Sequence, residues 1–302
     1  MDGLVKMISY AVVIVTYNRL ALLKECIECV NKQTLPVKKV IVVNNASTDG
    51  TKDYLEKIAV DKSYKIINCE ENHGGAGGFS TGIEVAVKEQ VDWIVVIDDD
   101  AMLAADYVER LVEGQITHPQ YQAIAGTVVT EGKIDLNHRK RMINPGLLFK
   151  NCAIEDYDKE YFTCDNASFC GLMIKRDLIE QIGLPHIEYF IWHDDTEYSI
   201  RIRKHTGILV ATKAKLNHKT TLIAGTGPRR YTWKDYYGIR NRILYVREHG
   251  NLLDKLVNRI DLFAHVVFRN WYFGIIKKDG YDWQYEMDIV KKAVRDNDNM
   301  IF

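Results

Sequence analysis

Three consecutive aspartates, Asp98, Asp99 and Asp100, directly follow the apolar run 91–97. Adjacent carboxylates repel one another, and burying them is costly unless a cation supplies opposite charge. Carboxylate oxygens are ligands that Mg²⁺ and Mn²⁺ prefer. In an extended chain Asp98 and Asp100 share a face, because alternate side chains point the same way. These residues predict a divalent metal site, with an acidic surface loop or a helix cap as the alternative.

A second polar cluster, Trp192-His193-Asp194-Asp195, lies in the second half of the chain. An aromatic ring can stack on a sugar, and a nearby carboxylate can accept a proton from a hydroxyl group. The combination is therefore typical of a sugar site. The two aspartates would equally well cap the start of a surface helix, so the cluster alone leaves both interpretations open.

A glycine cluster occupies residues 74–78, and we expect a helix to begin near Phe79. Glycines let the backbone approach a ligand closely and expose N–H groups to phosphate. The positive end of the following helix would face the same anion. Ser80 stands where a dinucleotide-binding motif has its last glycine, so that interpretation is weak. A plain flexible loop is the alternative.

His218 follows a short strand that the pattern predicts over residues 208–211. A neutral imidazole nitrogen can bind a metal ion. A single histidine is more often structural, so this residue by itself predicts no metal ligand.

Alternating strands and helices must position these groups. Strands are predicted over 10–16, 38–43, 64–68 and 91–97, with helices over 20–33, 47–59, 81–89 and 104–114 between and after them. This order favours a doubly wound, mostly parallel sheet. Such sheets bind ligands beyond the carboxyl ends of their strands, so we expect the chemistry to follow Thr16, Val43, Asn68 and Ile97.

The C-terminal region is predicted to be helical over 231–249, 252–276 and 285–294, after shorter helices over 178–182 and 194–204. It has an excess of Lys and Arg over Asp and Glu and is rich in aromatic residues. A basic, aromatic helical region can lie on an anionic membrane surface. It can also pack on the catalytic domain or on a second subunit, as a homo-oligomer, and both interpretations stay open.

Composition sets outer limits on the function. The chain has 302 residues and a net charge of -1, which gives no indication of a nucleic-acid partner. We see no secretory signal and no apolar run of the roughly 18 residues that a membrane helix needs, so a cytoplasmic location is expected. Cys26 and Cys29 have C-x-x-C spacing without a second pair, which favours packing inside a helix over a zinc site.

Four segments together resemble the family 2 glycosyltransferases with the GT-A fold: 15–19, 42–51, 97–101 and 192–201. The resemblance extends over about residues 10–250. It implies an α/β, Rossmann-like, mostly parallel central sheet flanked by helices. The catalytic domain would cover 1–228, with a nucleotide-sugar half to about 120 and an acceptor half beyond it, and a helical extension would cover 229–302.

The resemblance also implies roles for individual residues. Asp195 aligns with the catalytic base, while Asp98 and Asp100 align with the ligands of Mn²⁺ or Mg²⁺. Asn44 departs from the aspartate that the family commonly has, which puts base recognition there in doubt. Acceptor contacts are implied for Trp192, His193 and Asp194, and nucleotide-sugar contacts for Thr16, Tyr17, Asn18, Arg19, Asn44, Asn45, Gly75, Gly77, Gly78 and Asp99.

Segments 72–79 and 236–242 resemble the branch that contains galactofuranosyltransferases and some rhamnosyltransferases. In galactofuranosyltransferases a histidine after the catalytic segment joins the aspartates at the metal, and His218 fits that order. The resemblance thus implies inverting transfer of a sugar, preferably galactofuranose from its UDP donor, to a growing polysaccharide or a lipid-linked glycan. Transfer of rhamnose from dTDP-rhamnose is the alternative. A nucleotidyltransferase, which would need a more basic first loop, and a non-catalytic sugar-binding module are competing classes.

Overall fold

The computed structural model describes residues 8–220, 230–273 and 283–298. They form two compact units. The described residues of the first unit fall within 1–141, 151–190 and 194–222, and those of the second within 142–150, 191–193 and 223–302. The division near residue 228 that the sequence suggests stays a prediction.

A ten-stranded sheet forms the centre of the first unit. Its strand order is β10-β13-β6-β12-β4-β1-β2-β3, with β5 paired to β13 and β7 paired to β6. The pairs among β1–β4 are parallel, as is β6 with β13, whereas β12 runs antiparallel to its neighbours. The ten strands are β1 Tyr10–Thr16, β2 Lys39–Asn44, β3 Tyr64–Asn68, β4 Trp93–Asp98, β5 Ala101–Leu103, β6 Ala123–Thr130, β7 Lys133–Ile134, β10 Tyr161–Cys164, β12 Leu172–Lys175 and β13 Ile208–His218. Three further strands form a separate sheet: β8 Arg139–Ile143, β9 Leu148–Asn151 and β11 Asn166–Ala167.

Helices cover both faces of this sheet. The alternating residues of β1 belong to two separate apolar clusters, because successive side chains point to opposite faces. One cluster includes residues of α1 and α4, with Cys26 buried among them as expected, and the other includes residues of α3, α5 and α6. The α/β architecture predicted from the sequence is confirmed. The helices of this unit are α1 Leu20–Asn31, α2 Thr51–Ile58, α3 Gly74–Lys88, α4 Tyr107–Thr117, α5 Arg176–Ile182 and α6 Asp194–Arg203.

Strand register aligns the polar residues at one edge of the sheet. Val15 lies opposite Asp98, Thr16 opposite Asn44, and Asn44 opposite Asn68. The strands themselves form because their apolar, β-branched runs are buried on both faces. The carboxyl ends of four strands therefore meet at a common edge.

The glycine cluster departs from the sequence-based expectation. Helix α3 begins at Gly74 and not near Phe79, so these glycines form its first turns. Gly74 has a φ of +71°, and a Cβ there would lie 2.0 Å from the carbonyl oxygen of Phe190. A Cβ at Gly78 would lie 2.5 Å from Cγ1 of Val15 on β1. The glycines are thus required for close packing of the helix, which offsets their low helix propensity.

The second unit is mainly helical, with α7 Trp233–His249, α8 Leu252–Trp271 and α9 Trp283–Asp298. Capping boxes begin α7 at Thr232 and α8 at Asn251. Part of the predicted helix 252–276 lies outside the described residues. Among the helices that are described, none combines the length and the apolar character needed to cross a membrane.

Candidate active site

The pairing of β13 with β5 brings His218 to the aspartates. His218 lies opposite Ala101 in the sheet, directly after the Asp98–Asp100 segment. As a result, its Nε2 is 3.2 Å from Oδ1 of Asp100. The backbone N–H of Lys219 also donates to the carbonyl oxygen of Asp100 at 2.8 Å. Two parts of the chain that are distant in sequence are therefore fixed together at the end of β4.

Arg19 and Thr16 contact the same carboxylates from the end of β1. Nη1 of Arg19 is 2.7 Å from Oδ2 of Asp100 and 3.3 Å from Oδ1 of Asp99. The hydroxyl of Thr16 donates to Oδ2 of Asp99 at 2.7 Å. Asp99 is thus held by its neighbours on two sides, which identifies it as a residue that orders the site.

The charge of this cluster is poorly compensated. Burial, with the nearby charge of Asp100, raises the pKa of Asp98 to about 7, and burial raises that of Asp99 to about 6. Burial acts in the same direction on Asp100, but the contact with His218 outweighs it and lowers the pKa of that carboxyl. The pKa of His218 is raised, because Asp100 and Asp98 outweigh the opposing effect of burial. Such a cluster favours a bound cation.

Two buried polar atoms of this cluster are candidates for binding a divalent metal ion. Oδ1 of Asp100 and Nδ1 of His218 are both buried and form no well-shaped hydrogen bond among the described residues. Buried polar atoms normally have partners, so Nδ1 of His218 could bind a ligand, whereas Oδ1 of Asp100 already lies 3.2 Å from Nε2 of His218. Carboxylates suit both Mn²⁺ and Mg²⁺. Imidazole favours transition metals, which include Mn²⁺ but not Mg²⁺.

Asp135 and His138 also lie at this place, and the sequence analysis missed them. Their ligand atoms and those of His218 all lie within 4.8 Å of one another. The rings of His138 and His218 meet edge to face at 5.1 Å, and Nδ1 of His138 is 2.7 Å from Oγ of Ser168. The only sequence signal was the D-x-x-H spacing, which is too common to indicate a site. The short 3₁₀ helix Leu136–His138 brings the two side chains to the same side.

Asp194 and Asp195 begin helix α6. Burial raises the pKa of both carboxyl groups, and the charge of Asp195 raises that of Asp194 further. Lys140 and His138 act in the opposite direction on Asp195. Asp98 also acts on Asp194 through its charge, so the two acidic segments are close enough to interact. His138 interacts with both His218 and Asp195, and thus lies between the carboxylate cluster and the candidate base.

Trp192 and His193 belong to the second unit. Both have left-handed backbone conformations, with φ of 65° and 66°. Within that unit, Nδ2 of Asn241 donates to the carbonyl oxygen of Trp192 at 2.7 Å, and the ring of His193 is 5.5 Å from that of Tyr245. A Cβ at Gly238 would lie 3.0 Å from the Trp192 ring. The 236–242 motif thus supports this strained segment, while an acceptor-binding role stays a prediction.

Asn44 and Asn45 connect loops at the sheet edge. Nδ2 of Asn44 donates to Asn68 at 2.8 Å, and its Oδ1 accepts the Ser47 N–H at 3.0 Å. Nδ2 of Asn45 donates to the carbonyl oxygen of Gly74 at 2.8 Å, and its Oδ1 accepts a backbone N–H at 3.1 Å. Both amides are therefore already used within the protein, which gives them a positioning role.

Among the other nucleotide-binding candidates, Asn18 is likewise engaged, since its Oδ1 accepts the Thr48 N–H at 2.7 Å. Tyr17 is exposed at the end of β1. A Cβ at Gly75 would have nothing within 4 Å, whereas a Cβ at Gly77 would meet His73 at 2.5 Å. Tyr17 and Gly75 therefore present open surface, while Gly77, like Gly78, has a packing role.

Comparisons with known proteins show the family of the chain. The family model described as Glycosyl transferase family 2 matches residues 11–183. Galactofuranosyltransferase GlfT1 of Mycolicibacterium smegmatis is 26% identical over 63% of this chain and 64% of that protein, so the chain spans less than two thirds of that relative. dTDP-rhamnosyl transferase RfbF of Shigella flexneri is 27% identical over 78% of this chain and 79% of its own length.

A solved structure supports the fold. The structure of GalNAc-T7 with UDP, GalNAc and Mn²⁺ superposes with a TM-score of 0.62 at 15% identity, covering 80% of this chain and 48% of that one. At that identity the likeness concerns the fold alone. Since the family model spans more than half of the chain and includes the triple aspartate, the protein belongs to glycosyl transferase family 2.

Proposed function

We propose that the protein is an inverting, metal-dependent glycosyltransferase that uses a nucleotide-sugar donor. The observation that supports this most directly is the contact of His218 with the Asp98–Asp100 cluster, together with the action of the Asp98 charge on Asp194, the residue before Asp195. A carboxylate–imidazole cluster that could hold a metal ion, and a carboxylate of raised pKa, would provide the two groups that such a transfer needs. The preferred donor is UDP-galactofuranose, and the acceptor is a hydroxyl group of a growing polysaccharide or a lipid-linked glycan.

Asp98, Asp100 and His218 would hold Mn²⁺ or Mg²⁺. When bound, the ion neutralises charge that develops on the leaving nucleotide diphosphate. The protein's own contribution is to keep these ligands in place, through the contact of Thr16 with Asp99 and the β5–β13 pairing. Tyr17, Arg19 and Gly75 would contact the donor from the same edge of the sheet.

Asp195 is the proposed base. Its carboxylate accepts the proton of the acceptor hydroxyl as that oxygen forms a bond to the anomeric carbon. The bond between the anomeric carbon and the diphosphate oxygen breaks on the opposite face, so the configuration inverts. A raised pKa makes the carboxylate a stronger proton acceptor, and Lys140 and His138 limit this rise. Trp192, His193 and Asp194 would orient the acceptor.

Two donors are in competition. The galactofuranosyltransferase relative favours UDP-galactofuranose, and the 72–79 motif agrees with it. The rhamnosyltransferase relative covers more of the chain and favours dTDP-rhamnose. A direct screen decides: purified protein with Mn²⁺ is given each of these donors, and UDP-hexopyranoses, and nucleotide release is measured with and without excess chelator. Metal-dependent release of nucleotide from one donor would support the proposal. Sugar binding without nucleotide release from any donor would indicate a binding module.

The location that fits this proposal is the cytoplasmic side of a membrane, where nucleotide sugars and lipid-linked acceptors meet. The protein would be peripheral there, or would assemble with a second copy through its C-terminal helices. Separation of cell extracts into membrane and supernatant fractions tests this location. Full recovery in the supernatant at low salt would contradict peripheral attachment.

A further inference from the structure

Helix α8 buries polar side chains and exposes apolar ones, which is the reverse of the usual arrangement in a globular protein. The residues that it buries include the polar side chains of Asp254, Asn258 and Arg269. Its exposed residues are largely apolar, and each of the large ones is between 49% and 86% exposed. They recur with helical spacing and form one continuous stripe, which we call the α8 face: Leu252, Leu253, Leu256, Ile260, Phe263, Val267, Phe268 and Trp271.

The polar contacts of α8 fix its orientation. Within the second unit, Oδ1 of Asp254 accepts the Gly146 N–H at 2.7 Å, and Nδ2 of Asn258 donates to the Gly146 carbonyl oxygen at 3.3 Å. Arg269 donates to Oε2 of Glu286 at 2.6 and 3.1 Å. Turning the helix to bury its apolar stripe would leave these polar groups without partners. The outward direction of the α8 face is therefore built into the unit.

Positive charge lies beside this stripe. An open groove of about 500 Å³ runs between α7, α8 and α9 and is lined by apolar side chains together with Arg247, Lys255 and Arg259. Among the described residues that line it, none is an Asp or a Glu. An apolar face bordered by cations complements a surface whose interior is apolar and whose outer layer is anionic.

Three exposed aromatic residues lie near the C-terminal end of α8. Trp271 ends α8, and Trp283 and Tyr285 lie beside Glu286, which bonds to Arg269. All three aromatic side chains are about half exposed. Tryptophan and tyrosine are the residues that favour the boundary between water and lipid, because their rings are apolar and each carries a polar group.

Resting on the peripheral location proposed above, we propose that the α8 face is a docking surface for an anionic phospholipid bilayer. The helix, about 30 Å long at 1.5 Å per residue, lies in the plane of the lipid headgroups and does not cross the bilayer. A second copy of the chain fits this surface less well. In a two-fold contact the same patch meets itself, so Lys255 and Arg259 of both copies would be brought into one interface.

Vesicle flotation of the full chain tests the proposal. The protein is expected to float with vesicles of phosphatidylglycerol and phosphatidylcholine, to bind phosphatidylcholine alone more weakly, and to detach partly at high salt. Ile260→Ser with Phe263→Ser should reduce the partition coefficient roughly tenfold or more, because both side chains leave apolar surroundings. Lys255→Glu with Arg259→Glu should abolish the preference for the anionic vesicles.

A matched control is Val60→Ser, which alters a residue that is 85% exposed in the first unit and should leave flotation unchanged. Circular dichroism melting verifies that each variant folds, and the charge-reversal variant keeps the test valid if the serine pair unfolds. Failure to bind either vesicle, or an equal loss for Val60→Ser, would overturn the proposal. So would sedimentation that shows a dimer which the serine pair dissociates, since a second copy would then cover the face.

Discussion

Asp195 is the residue on which the proposed chemistry depends most. Asp195→Asn keeps the shape of the side chain but removes its capacity to take a proton, so transfer is expected to fall by about 10²- to 10⁴-fold. Stabilisation of the protein by Mn²⁺ should persist, because the metal ligands are unchanged. Initial-rate assays and thermal shift measure the two properties. Asp177→Asn, at an exposed position on α5, is the matched control, and full activity in Asp195→Asn would refute the base assignment.

The charges around Asp195 predict a pH dependence. Burial raises the pKa of its carboxyl above the ordinary value of 3.8, and a base must be deprotonated to work. The rate should therefore fall as pH drops through this raised pKa, at a higher pH than for an ordinary aspartate. The charges of Lys140 and His138 oppose this rise. Lys140→Met removes a positive charge and should move the acid limb of kcat/KM to still higher pH.

Lys140→Arg is the control for that experiment, because it retains the charge and should leave the acid limb where it is in the wild type. An acid limb that does not move in Lys140→Met would show that another group controls the rate.

Metal binding can show which neighbours act together with His218: Asp98 and Asp100, or Asp135 and His138. Asp100→Asn and His218→Ala should each remove most of the thermal stabilisation that Mn²⁺ gives, because binding to the folded state is what raises Tm. Asp135→Asn should retain it if Asp98 and Asp100 are the ligands. Loss of the stabilisation in Asp135→Asn and His218→Ala, with Asp100→Asn unaffected, would assign the metal to Asp135, His138 and His218. Thermal shift across a Mn²⁺ titration measures all three variants.

At the scale of elements, the start of α3 gives a sharp stability contrast. Gly78→Ala places a Cβ 2.5 Å from Val15 and should cost about 1–3 kcal/mol of unfolding free energy. Gly75→Ala meets nothing within 4 Å and should be neutral or stabilising by up to about 1 kcal/mol. Urea denaturation measures both. Adding Val15→Ala should restore part of the loss in Gly78→Ala, and equal effects at the two glycines would contradict the packing role.

The elements also show what a sequence can and cannot predict here. The bounds of β1 and β3 agree with the prediction, because short β-branched runs between turn residues are distinctive. The beginning of α3 was predicted wrongly, since glycine's low helix propensity is offset by contacts with Val15 and Phe190 that no local pattern reveals. Strand β13 runs to His218, beyond the predicted Ala211, because its partner β5 is far away in sequence.

The same limit applies to the candidate site. The triple aspartate is a polar run directly after a buried strand, so its place at the candidate site could be predicted from the sequence. Asp135 and His138 could not, because they reach His218 only through the long-range pairing that places β13 beside β6.

For the whole molecule, the net charge of -1 hides an uneven distribution. Basic and aromatic residues gather in the C-terminal helices, which the sequence already indicated. Which side of α8 faces outward was not predictable, because it depends on the contacts of Asp254 and Asn258 with Gly146. Those contacts make the unit carry its apolar residues on the outside, as the lipid-docking proposal requires.

The guanidinium of Arg19 acts as a resident counter-ion. It contacts Oδ2 of Asp100 and Oδ1 of Asp99, and thus neutralises part of the negative charge that would attract a metal ion. A metal ion that binds these carboxylates must compete with Arg19, so we expect Arg19 to weaken the affinity of the protein for the ion. Arg19→Gln should therefore bind Mn²⁺ a few-fold more tightly, on the order of 1 kcal/mol since Arg19 is half exposed, even though sugar transfer declines. Calorimetric titration with Mn²⁺ alone would reveal this exchange of one cation for another.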